Sequence, residues 1–388
     1  MKPLVSLVIN NHDYGRFVGA AVESALAQTY RPIEVIAVDD GSTDESWDVL
    51  SRYGDRITLA RRANGGQAAA INLGFALSRG ELVIFLDADD RLSVRAASAA
   101  VAHVTPEVVN VQWPLWLEDE RGRRLGQLPT SALADGDLRP RLLAEGPLSW
   151  PSAPMSGNAW ARPFLESVLP MPEAGYRTGA DSYLNAMAPL YGRTAALPRA
   201  LGTQIRRSAN DSSQPIDEYL SACLVRWRLD SGAVASHLRA HGDRVDVRDW
   251  EATNSHVRSM ARGLTVAQAA ARFTGSGATI LLIDGGVWGD NPLAAGRSTR
   301  RLPVHARGDE RLAVAWVRRR VKDGASVLLI AWPAFEWLEI HPQFRTYLRS
   351  FPSLMTTDDA WVWDLVGNRS SPPNGRGRPV QGRREARN

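Results

Sequence analysis

The sequence predicts an α/β fold built on a doubly wound, mostly parallel sheet, followed by helices and a smaller C-terminal α/β domain. Two observations predict this fold. Short apolar segments alternate with helical patterns three times within the first ninety residues, as in consecutive βα units. The apolar segment at residues 82–86 is hydrophobic at every position, which is typical of a strand covered on both faces.

The predicted elements follow one another in a regular order. Residues 17–26 carry apolar side chains at the three-and-four spacing of a helix, residues 68–77 form a helix of small residues, and a third helix is expected to begin near Glu45. The predicted strands are residues 5–9, 33–38, 57–60 and 82–86.

Every predicted strand ends in polar residues or leads into them. Open α/β sheets bind their ligands at the carboxyl ends of the strands, so this polar edge is a candidate binding site. The polar segments are Asn10-Asn11-His12-Asp13, Asp39-Asp40-Gly41-Ser42-Thr43-Asp44, Asn64-Gly65-Gly66-Gln67 and Asp87-Ala88-Asp89-Asp90.

The acidic segment after residue 86 indicates a metal–diphosphate site. Asp87 and Asp89 are two positions apart, so on a strand their side chains share a face. Neighbouring carboxylates repel one another unless a proton or a cation separates them, and hard oxygen ligands favour Mg²⁺ or Mn²⁺ beside substrate phosphates. Purely structural explanations stay open, since Asp90 is also a good helix cap and residues 39–44 a well-capped turn.

Four motifs in order resemble the family 2 glycosyltransferases of GT-A fold. They are Val-Ser-Leu-Val-Ile at 5–9, Ala-Val-Asp-Asp-Gly-Ser-Thr-Asp at 37–44, Asn-Gly-Gly-Gln-Ala-Ala-Ala-Ile-Asn-Leu-Gly at 64–74 and Phe-Leu-Asp-Ala-Asp-Asp at 85–90. The resemblance implies an inverting, hexosyltransferase-type enzyme that moves a sugar from a nucleotide-diphosphate donor to an acceptor hydroxyl. A glycan or lipid-linked acceptor in bacterial surface glycan or glycoconjugate assembly is then expected.

The resemblance also implies roles for particular residues. Asp87 and Asp89 match the family's pair at the divalent cation, Mg²⁺ or Mn²⁺, with Asp89 as the direct ligand. Asn10 and Asn11 are expected on the first loop. The residues that match the donor site are Asn10, Asn11, Asp39, Asp40, Asn64, Gly66, Asn72, Asp87 and Gly157.

Inverting sugar transfer needs a general base that takes the proton of the attacking hydroxyl. The segment Tyr176–Gly192 matches the place where the family carries an acidic residue at the start of a helix, which makes Asp181 the candidate base. A helix cap is the structural alternative for Asp181, with Tyr183 and Leu184 packing beneath it.

Arg207 departs from the family pattern, because it stands where the family often carries a histidine that completes the metal shell. A guanidinium cannot ligate a metal, but it can bind phosphate oxygens with two hydrogen bonds. We therefore expect Arg207 to contact the donor phosphates, and we expect less strict metal dependence.

The charge and the cysteine content of the chain limit its possible binding partners and its cellular compartment. The chain carries a formal net charge of +4, and its last 22 residues contain six Arg and one Glu, so the excess charge belongs to the tail. This argues against nucleic-acid binding by the folded part and permits peripheral contact with anionic lipid. The single Cys223 fits a reducing compartment, and the chain is expected to be cytoplasmic, at most at the inner face of the membrane.

The second half of the chain predicts separate units. Residues 279–284, 326–332 and 360–365 are expected to be strands, with helices at 309–322 and 337–349 between them. The expected domains are a catalytic domain at 1–213, a helical connecting region at 214–273, a small α/β domain of unknown role at 274–366 and a disordered basic tail at 367–388. The small α/β domain, which contains Trp332-Pro333-Ala334-Phe335, resembles an extension attached to some bacterial family 2 glycosyltransferases. The sequence does not indicate the oligomeric state.

Two other functions stay open at this point. Arg207 in place of the histidine is compatible with a catalytically weak nucleotide- or glycan-binding module. A nucleotidyltransferase also combines an α/β sheet with paired acids, although such enzymes usually carry a Gly-rich basic loop directly after the first strand. Asn10-Asn11-His12-Asp13-Tyr14-Gly15 stands there instead.

Overall fold

A computed structural model describes residues 2–206, 215–284, 293–294, 296–303, 306–331 and 334–367. The described residues fall into two compact units. The first lies within residues 1–212 and 221–261, and the second within residues 213–220 and 262–388. Arg207, the Trp332-Pro333 pair and almost all of the basic tail lie outside the described residues.

A seven-stranded sheet forms the centre of the first unit. Its strands stand in the order β10-β6-β9-β4-β1-β2-β3. Their bounds are β1 Val5–Asn11, β2 Ile33–Asp39, β3 Thr58–Arg61, β4 Leu82–Asp87, β6 Val108–Gln112, β9 Asn158–Ala161 and β10 Arg193–Ala196.

The sheet is mostly parallel, as the sequence predicts. Strands β1 to β4 are parallel neighbours, and β6 is parallel to β10, whereas β9 runs antiparallel between β4 and β6. The chain winds from β1 towards β2 and β3 on one side and then returns to β4 on the other. Ligands of such sheets bind at this switch point, beyond the carboxyl ends of β1 and β4.

Helices cover both faces of this sheet, and the α-helices that precede residue 206 are each 12 residues long or shorter. Val18, Ala21 and Val22 of α1 are buried with alternate β1 residues, while the small residues of α3 lie against the opposite face. The bounds are α1 Gly15–Leu26, α2 Ser46–Ser51, α3 Gln67–Leu77, α4 Ala96–His103, α5 Arg139–Glu145, α6 Arg162–Val168 and α7 Ala180–Met187.

A smaller four-stranded sheet lies beside the acidic segment. It has the order β5-β11-β7-β8, with β5 directly after the aspartates and β11 ending at Arg206. The bounds are β5 Arg91–Leu92, β7 Leu115–Asp119, β8 Arg124–Leu128 and β11 Gly202–Arg206.

Helices make up most of residues 216–272, and a third sheet, of five strands, belongs to the second unit. The helices are α8 Ile216–Ala240, α9 Val247–Thr253, α10 Ser255–Arg272, α11 Glu310–Lys322, α12 Phe335–Glu339 and α13 Pro342–Leu348. The strands are β12 Thr279–Ile283, β13 Ser298–Arg301, β14 Val327–Ala331, β15 Ser353–Thr356 and β16 Ala360–Asp364, in the order β13-β12-β14-β16-β15.

The structure differs in two details from the elements expected for the second half of the chain. The helix expected at 337–349 is two helices, because Pro342 lacks an N–H and restricts the residue before it, so that it begins a new helix. Strands β13 and β15 were not expected, since β13 is short and polar and β15 is mostly exposed. In the described part of the chain, no helix is long and apolar enough to span a bilayer.

Close packing of α3 on β1 predicts unequal effects for two helical glycines. A Cβ on Gly74 in α3 would overlap Val8 Cγ1, whereas a Cβ on Gly19 in α1 would meet its neighbours at 3.5 Å or more. We expect Gly74→Ala to lower the free energy of unfolding by about 1–3 kcal/mol. The matched Gly19→Ala should be neutral or stabilise by up to about 1 kcal/mol. Urea unfolding of both variants tests this, and equal effects would contradict the packing.

Candidate functional site

A cavity of about 560 Å³ opens at the carboxyl edge of the central sheet. It lies at the switch point, because residues from the ends of both β1 and β4 line it. Its lining residues are Asn10, Asn11, His12, Tyr14, Asp40, Asn64, Gly66, Gln67, Ala70, Asp87, Ala88, Asp89, Arg177, Thr178 and Gln204.

Strand register brings polar side chains together at this edge. Asn10 lies opposite Asp87, and its Nδ2 donates to Asp87 Oδ1 at 2.9 Å. Asn11 lies opposite Asp39, and its Nδ2 donates to Asp39 Oδ1 at 3.1 Å. Both asparagines are the last residues of β1, not part of a loop as expected, and this places their amides beside the neighbouring strands.

The acidic segment gathers three carboxyl groups in a small volume. Asp87 and Asp89 line the cavity, and Asp90 is buried behind them, where it accepts a hydrogen bond from Ser156 Oγ at 2.6 Å. Burial, with added repulsion from Asp87 and Asp89, raises the pKa of Asp90 well above its usual range. Burial also raises the pKa of Asp87, against the opposing hydrogen bonds from Asn10 and Gln67.

The oxygen ligands present fit a divalent cation bound together with phosphate. Asp87 and Asp89 are hard carboxylate ligands on the cavity wall, and Mg²⁺ commonly uses one or two such groups plus substrate phosphates. Within the described ranges, no set of three His, Cys, Asp or Glu side chains is arranged to hold a metal ion. A cation here would therefore depend on ligand oxygens as well as on the protein.

The two aspartates after β2 differ in their surroundings. Asp40 lines the cavity and accepts the backbone N–H groups of Gly65 and Gly66 at 3.0 and 2.6 Å. Asp39 is fully buried, pairs with Arg61 Nε at 3.1 Å and is not among the lining residues. Asp40 thus fixes the Gly-Gly segment at the cavity rim, while Asp39 lies one layer behind it.

Gly66 packs against residues 175–181, called here the 175–181 segment. The φ angle of Gly66 is +92°, and a Cβ there would lie 2.5 Å from Arg177 Cα. Arg177 accepts the Gln67 N–H through its carbonyl at 2.8 Å and donates from Nη2 to Asn64 Oδ1 at 2.6 Å. Only glycine allows this approach, which brings the Arg177 guanidinium into the cavity wall.

Gln67 connects the acidic segment to the helix that carries the candidate base. Its Nε2 donates to Asp87 Oδ1 at 2.9 Å, and its Oε1 accepts the Ala180 N–H at 3.0 Å. Asp181 follows in the first turn of α7. Burial raises the pKa of Asp181 to about 6, and the charge of Asp87 contributes to this rise, so the two carboxyl groups interact. Asp181 is partly exposed and can exchange protons near neutral pH.

The structure brings most of the predicted residues together, with exceptions. Asp39, Asn72, Gly157 and Asp181 are not among the lining residues, and Arg207 lies outside the described residues. The predicted residues that line the cavity are Asn10, Asn11, Asp40, Asn64, Gly66, Asp87 and Asp89.

Asn72 and Gly157 occupy supporting positions. The Asn72 amide exchanges hydrogen bonds of 3.0 and 2.9 Å with the backbone of Met171. Gly157 is buried, and a Cβ there would lie 2.6 Å from the Trp113 carbonyl oxygen. Both residues hold segments in place within this structure, and their predicted donor contacts stay predictions.

Several lining residues were not predicted. Gln67 belongs to the Asn-Gly-Gly-Gln motif, and its position at the start of a helix beside two glycines was an available signal. Arg177 lies four residues before Asp181, but only the long-range contact with Gly66 shows its place in the wall. The other unpredicted lining residues are His12, Tyr14, Ala70, Ala88, Thr178 and Gln204.

Comparison with known proteins finds similarity to glycosyltransferases in the region that carries this cavity. Residues 6–143 match the family model "Glycosyl transferase family 2". An uncharacterized glycosyltransferase of Nostoc sp. is 35% identical over 213 residues, which cover 53% of this chain and 66% of that protein. The Escherichia coli UDP-Glc:alpha-D-GlcNAc-diphosphoundecaprenol beta-1,3-glucosyltransferase WfaP is 39% identical over 89 residues, 22% of this chain and 36% of that protein.

One solved structure that is similar to this chain is the S. aureus TarS fragment 1–349 in complex with UDP-GlcNAc. It is 17% identical, with a TM-score of 0.45, over 70% of this chain and 87% of that one. The chain spans slightly less than two thirds of the Nostoc relative and about a third of the E. coli relative.

Because Gln67 connects Asp87 to Ala180, we expect Gln67→Glu to lower the stability of the protein in a pH-dependent way. A carboxylate there still accepts the Ala180 N–H but repels Asp87, so the variant should be less stable at pH 8 by about 1–3 kcal/mol. This repulsion raises both pKa values in the folded state, so the deficit exists at high pH and shrinks as pH falls towards about 5.

Urea unfolding at both pH values measures this deficit. Gln127→Glu, on the partly exposed strand β8, is the control and should show little effect at either pH. A deficit that is the same at pH 8 and pH 5 would contradict the interaction with Asp87.

Proposed function

We propose that the chain is an inverting glycosyltransferase, because residues 6–143 match the model of family 2 glycosyltransferases. It moves a sugar, hexosyl in type, from a nucleotide-diphosphate donor to an acceptor hydroxyl. One observation carries the proposal: a single cavity at the switch point collects Asp40, Asp87 and Asp89, and the candidate base Asp181 interacts with Asp87.

The cavity offers distinct groups for the two parts of the donor. Asp40 accepts and the Asn11 amide donates or accepts hydrogen bonds for the base and ribose, in a region shielded from water. Asp39 supports this region from behind the cavity wall by accepting from the Asn11 amide. Arg177 supplies the positive charge for the diphosphate and is already oriented by Asn64. The predicted phosphate contact of Arg207 would add a second guanidinium.

Asp87 and Asp89 would hold Mg²⁺ or Mn²⁺ together with the donor diphosphate. The cation supplies charge neutralisation for the leaving diphosphate. Asn10 and Gln67 orient Asp87 by donating to the same oxygen, Oδ1. These two amides keep the carboxylate at the cavity wall before any ligand binds.

Asp181 is the proposed general base. Its carboxylate takes the proton of the acceptor hydroxyl as that oxygen attacks the anomeric carbon from the face opposite the leaving group, which inverts the configuration. A pKa of about 6 leaves Asp181 mostly ionised at neutral pH, yet basic enough to accept a proton. Gln67 ties the start of its helix to Asp87 and so sets the distance between base and donor site.

The acceptor is proposed to be a glycan or a lipid-linked sugar. The E. coli relative is named for transfer to a sugar on diphosphoundecaprenol, a membrane-bound carrier. A similar acceptor would place the reaction at the inner face of a bacterial membrane, in the assembly of a surface glycan.

Replacement of the base should abolish transfer and leave donor binding nearly intact. We expect Asp181→Asn to lower kcat by about 10²–10⁴-fold, because the amide cannot accept a proton. Wild-type kcat should fall as pH drops through about 6, where Asp181 becomes protonated. Asp48→Asn, which removes an exposed carboxylate on α2, is the control. Full transfer activity in Asp181→Asn would exclude Asp181 as the base.

Removal of the Asp89 carboxyl group, the proposed cation ligand, should weaken the binding of nucleoside diphosphate only when metal is present. We expect wild-type protein to bind its nucleoside diphosphate more tightly with Mn²⁺ than without, and Asp89→Ala to bind equally in both conditions. Calorimetric titration measures both affinities, with Asp48→Ala as the charge-loss control. If Asp89→Ala retains the full benefit of Mn²⁺, Asp89 is not a ligand.

A further inference from the structure

A second buried carboxyl group lies beneath the 175–181 segment. Asp230 of α8 is fully buried, and its Oδ1 accepts a hydrogen bond from the Tyr176 hydroxyl at 2.8 Å. Its Oδ2 accepts no short hydrogen bond among the described residues, and the nearby Ser182 side chain favours the charged form of Asp230. An acidic group in such a position is costly, because a buried charge loses its hydration. The proposed reaction assigns no role to Asp230.

Tyr176 connects this buried acid to the cavity wall. The Arg226 guanidinium of α8 lies 5.0 Å above the Tyr176 ring and donates from Nη1 to the Gly175 carbonyl at 3.1 Å. The Tyr176 carbonyl in turn accepts the Ala68 N–H of α3 at 3.0 Å. The ring is thus held by α8 and the backbone by α3.

The 175–181 segment carries two groups of the proposed site. Arg177 follows Tyr176 directly and lines the cavity, and Asp181 lies four residues after Arg177 in α7. Tyr176 therefore connects Asp230 to the segment that presents both groups. Arg226 of α8 also donates to Thr178 Oγ1 of the segment, at 3.4 Å.

We propose that Asp230 is a positioning residue for the transfer reaction, which fixes the 175–181 segment through Tyr176 and interacts with the charge of Asp181. The inference rests on the proposed function, because it assigns Asp181 as the base. Asp230 touches neither donor nor acceptor in this account and acts through Tyr176.

The charges of Asp230 and Asp181 affect each other's pKa, and the direction of this effect can be measured. The charged and titratable groups that face Asp230 are Tyr176 and Asp181 on the segment, Tyr183 on α7 and Arg226 on its own helix. Burial is the main cause that raises the pKa of Asp230 to about 7. Hydrogen bonds from Tyr176 and Ser182 and the charge of Arg226 lower this pKa, and the charge of Asp181 raises it. Coupling is reciprocal, so ionisation of Asp230 as pH rises through about 7 must strengthen Asp181 as a base.

Three variants separate positioning from a general structural role. Asp230→Ala removes the acceptor of the Tyr176 hydroxyl and should lower kcat by at least about tenfold, because small misplacements of a base are costly. Asp230→Asn keeps an oxygen that accepts from Tyr176 and should restore most of kcat. Ser231→Ala alters the adjacent buried side chain of the same helix and should leave kcat unchanged. If Asp230→Ala fails to fold, Tyr176→Phe takes its place.

Carbon-13 NMR titration of the Asp181 carboxyl group gives a readout independent of turnover. Wild-type protein should show a main inflection near pH 6 and a second near pH 7, and Asp230→Asn should lose the second. Loss of that inflection together with the kcat pattern supports the inference. Equal kcat in Asp230→Ala and Ser231→Ala, or identical titration curves in wild type and Asp230→Asn, overturns it. A wild type without transfer activity would refute the proposed function, while the titration still decides the coupling.

Discussion

Buried negative charge at one edge of the central sheet is the constraint on which the rest of the site depends. Asp87, Asp90 and Asp181 all have raised pKa values because burial removes water from carboxyl groups that also repel one another. Such a cluster is stable only when amides, protons or cations compensate it. Asn10 and Gln67 provide part of this compensation in the protein itself. A cation with its diphosphate would provide the rest, so the same constraint explains both the hydrogen-bond network and the proposed ligand.

The fold places this charge where transfer chemistry needs it. Parallel register sets the end of β1 beside the ends of β2 and β4, and the close approach of Gly66 brings the 175–181 segment over the same edge. Gln67 then connects Asp87 of the proposed donor site to the start of the helix that carries the candidate base Asp181. With the roles proposed above, a change at Gln67, Tyr176 or Asp230 acts on more than one group of the site.

Local pattern predicted the first four strands, the polar edge and seven of the fifteen residues that line the cavity, because strand ends and turn residues are visible in short stretches of sequence. Long-range pairing was not visible. The antiparallel strand β9 enters the sheet between β4 and β6, and the amides of Asn10 and Asn11 belong to β1 because they pair with Asp87 and Asp39. Asp230 lies 54 positions after Tyr176, its hydrogen-bond partner, so nothing in its neighbourhood marked it. Pro342, in contrast, was a local signal for the break between α12 and α13.

Titration of the protein with UDP, GDP, dTDP and CDP, each with and without Mn²⁺, tests whether the 560 Å³ cavity is a cation-assisted donor site for a nucleotide-diphosphate sugar. One nucleotide should stabilise the fold by about 2.7 kcal/mol at 100 times its dissociation constant, and it should bind more weakly without Mn²⁺. Absence of stabilisation by all four nucleotides, with and without the cation, would contradict the claim.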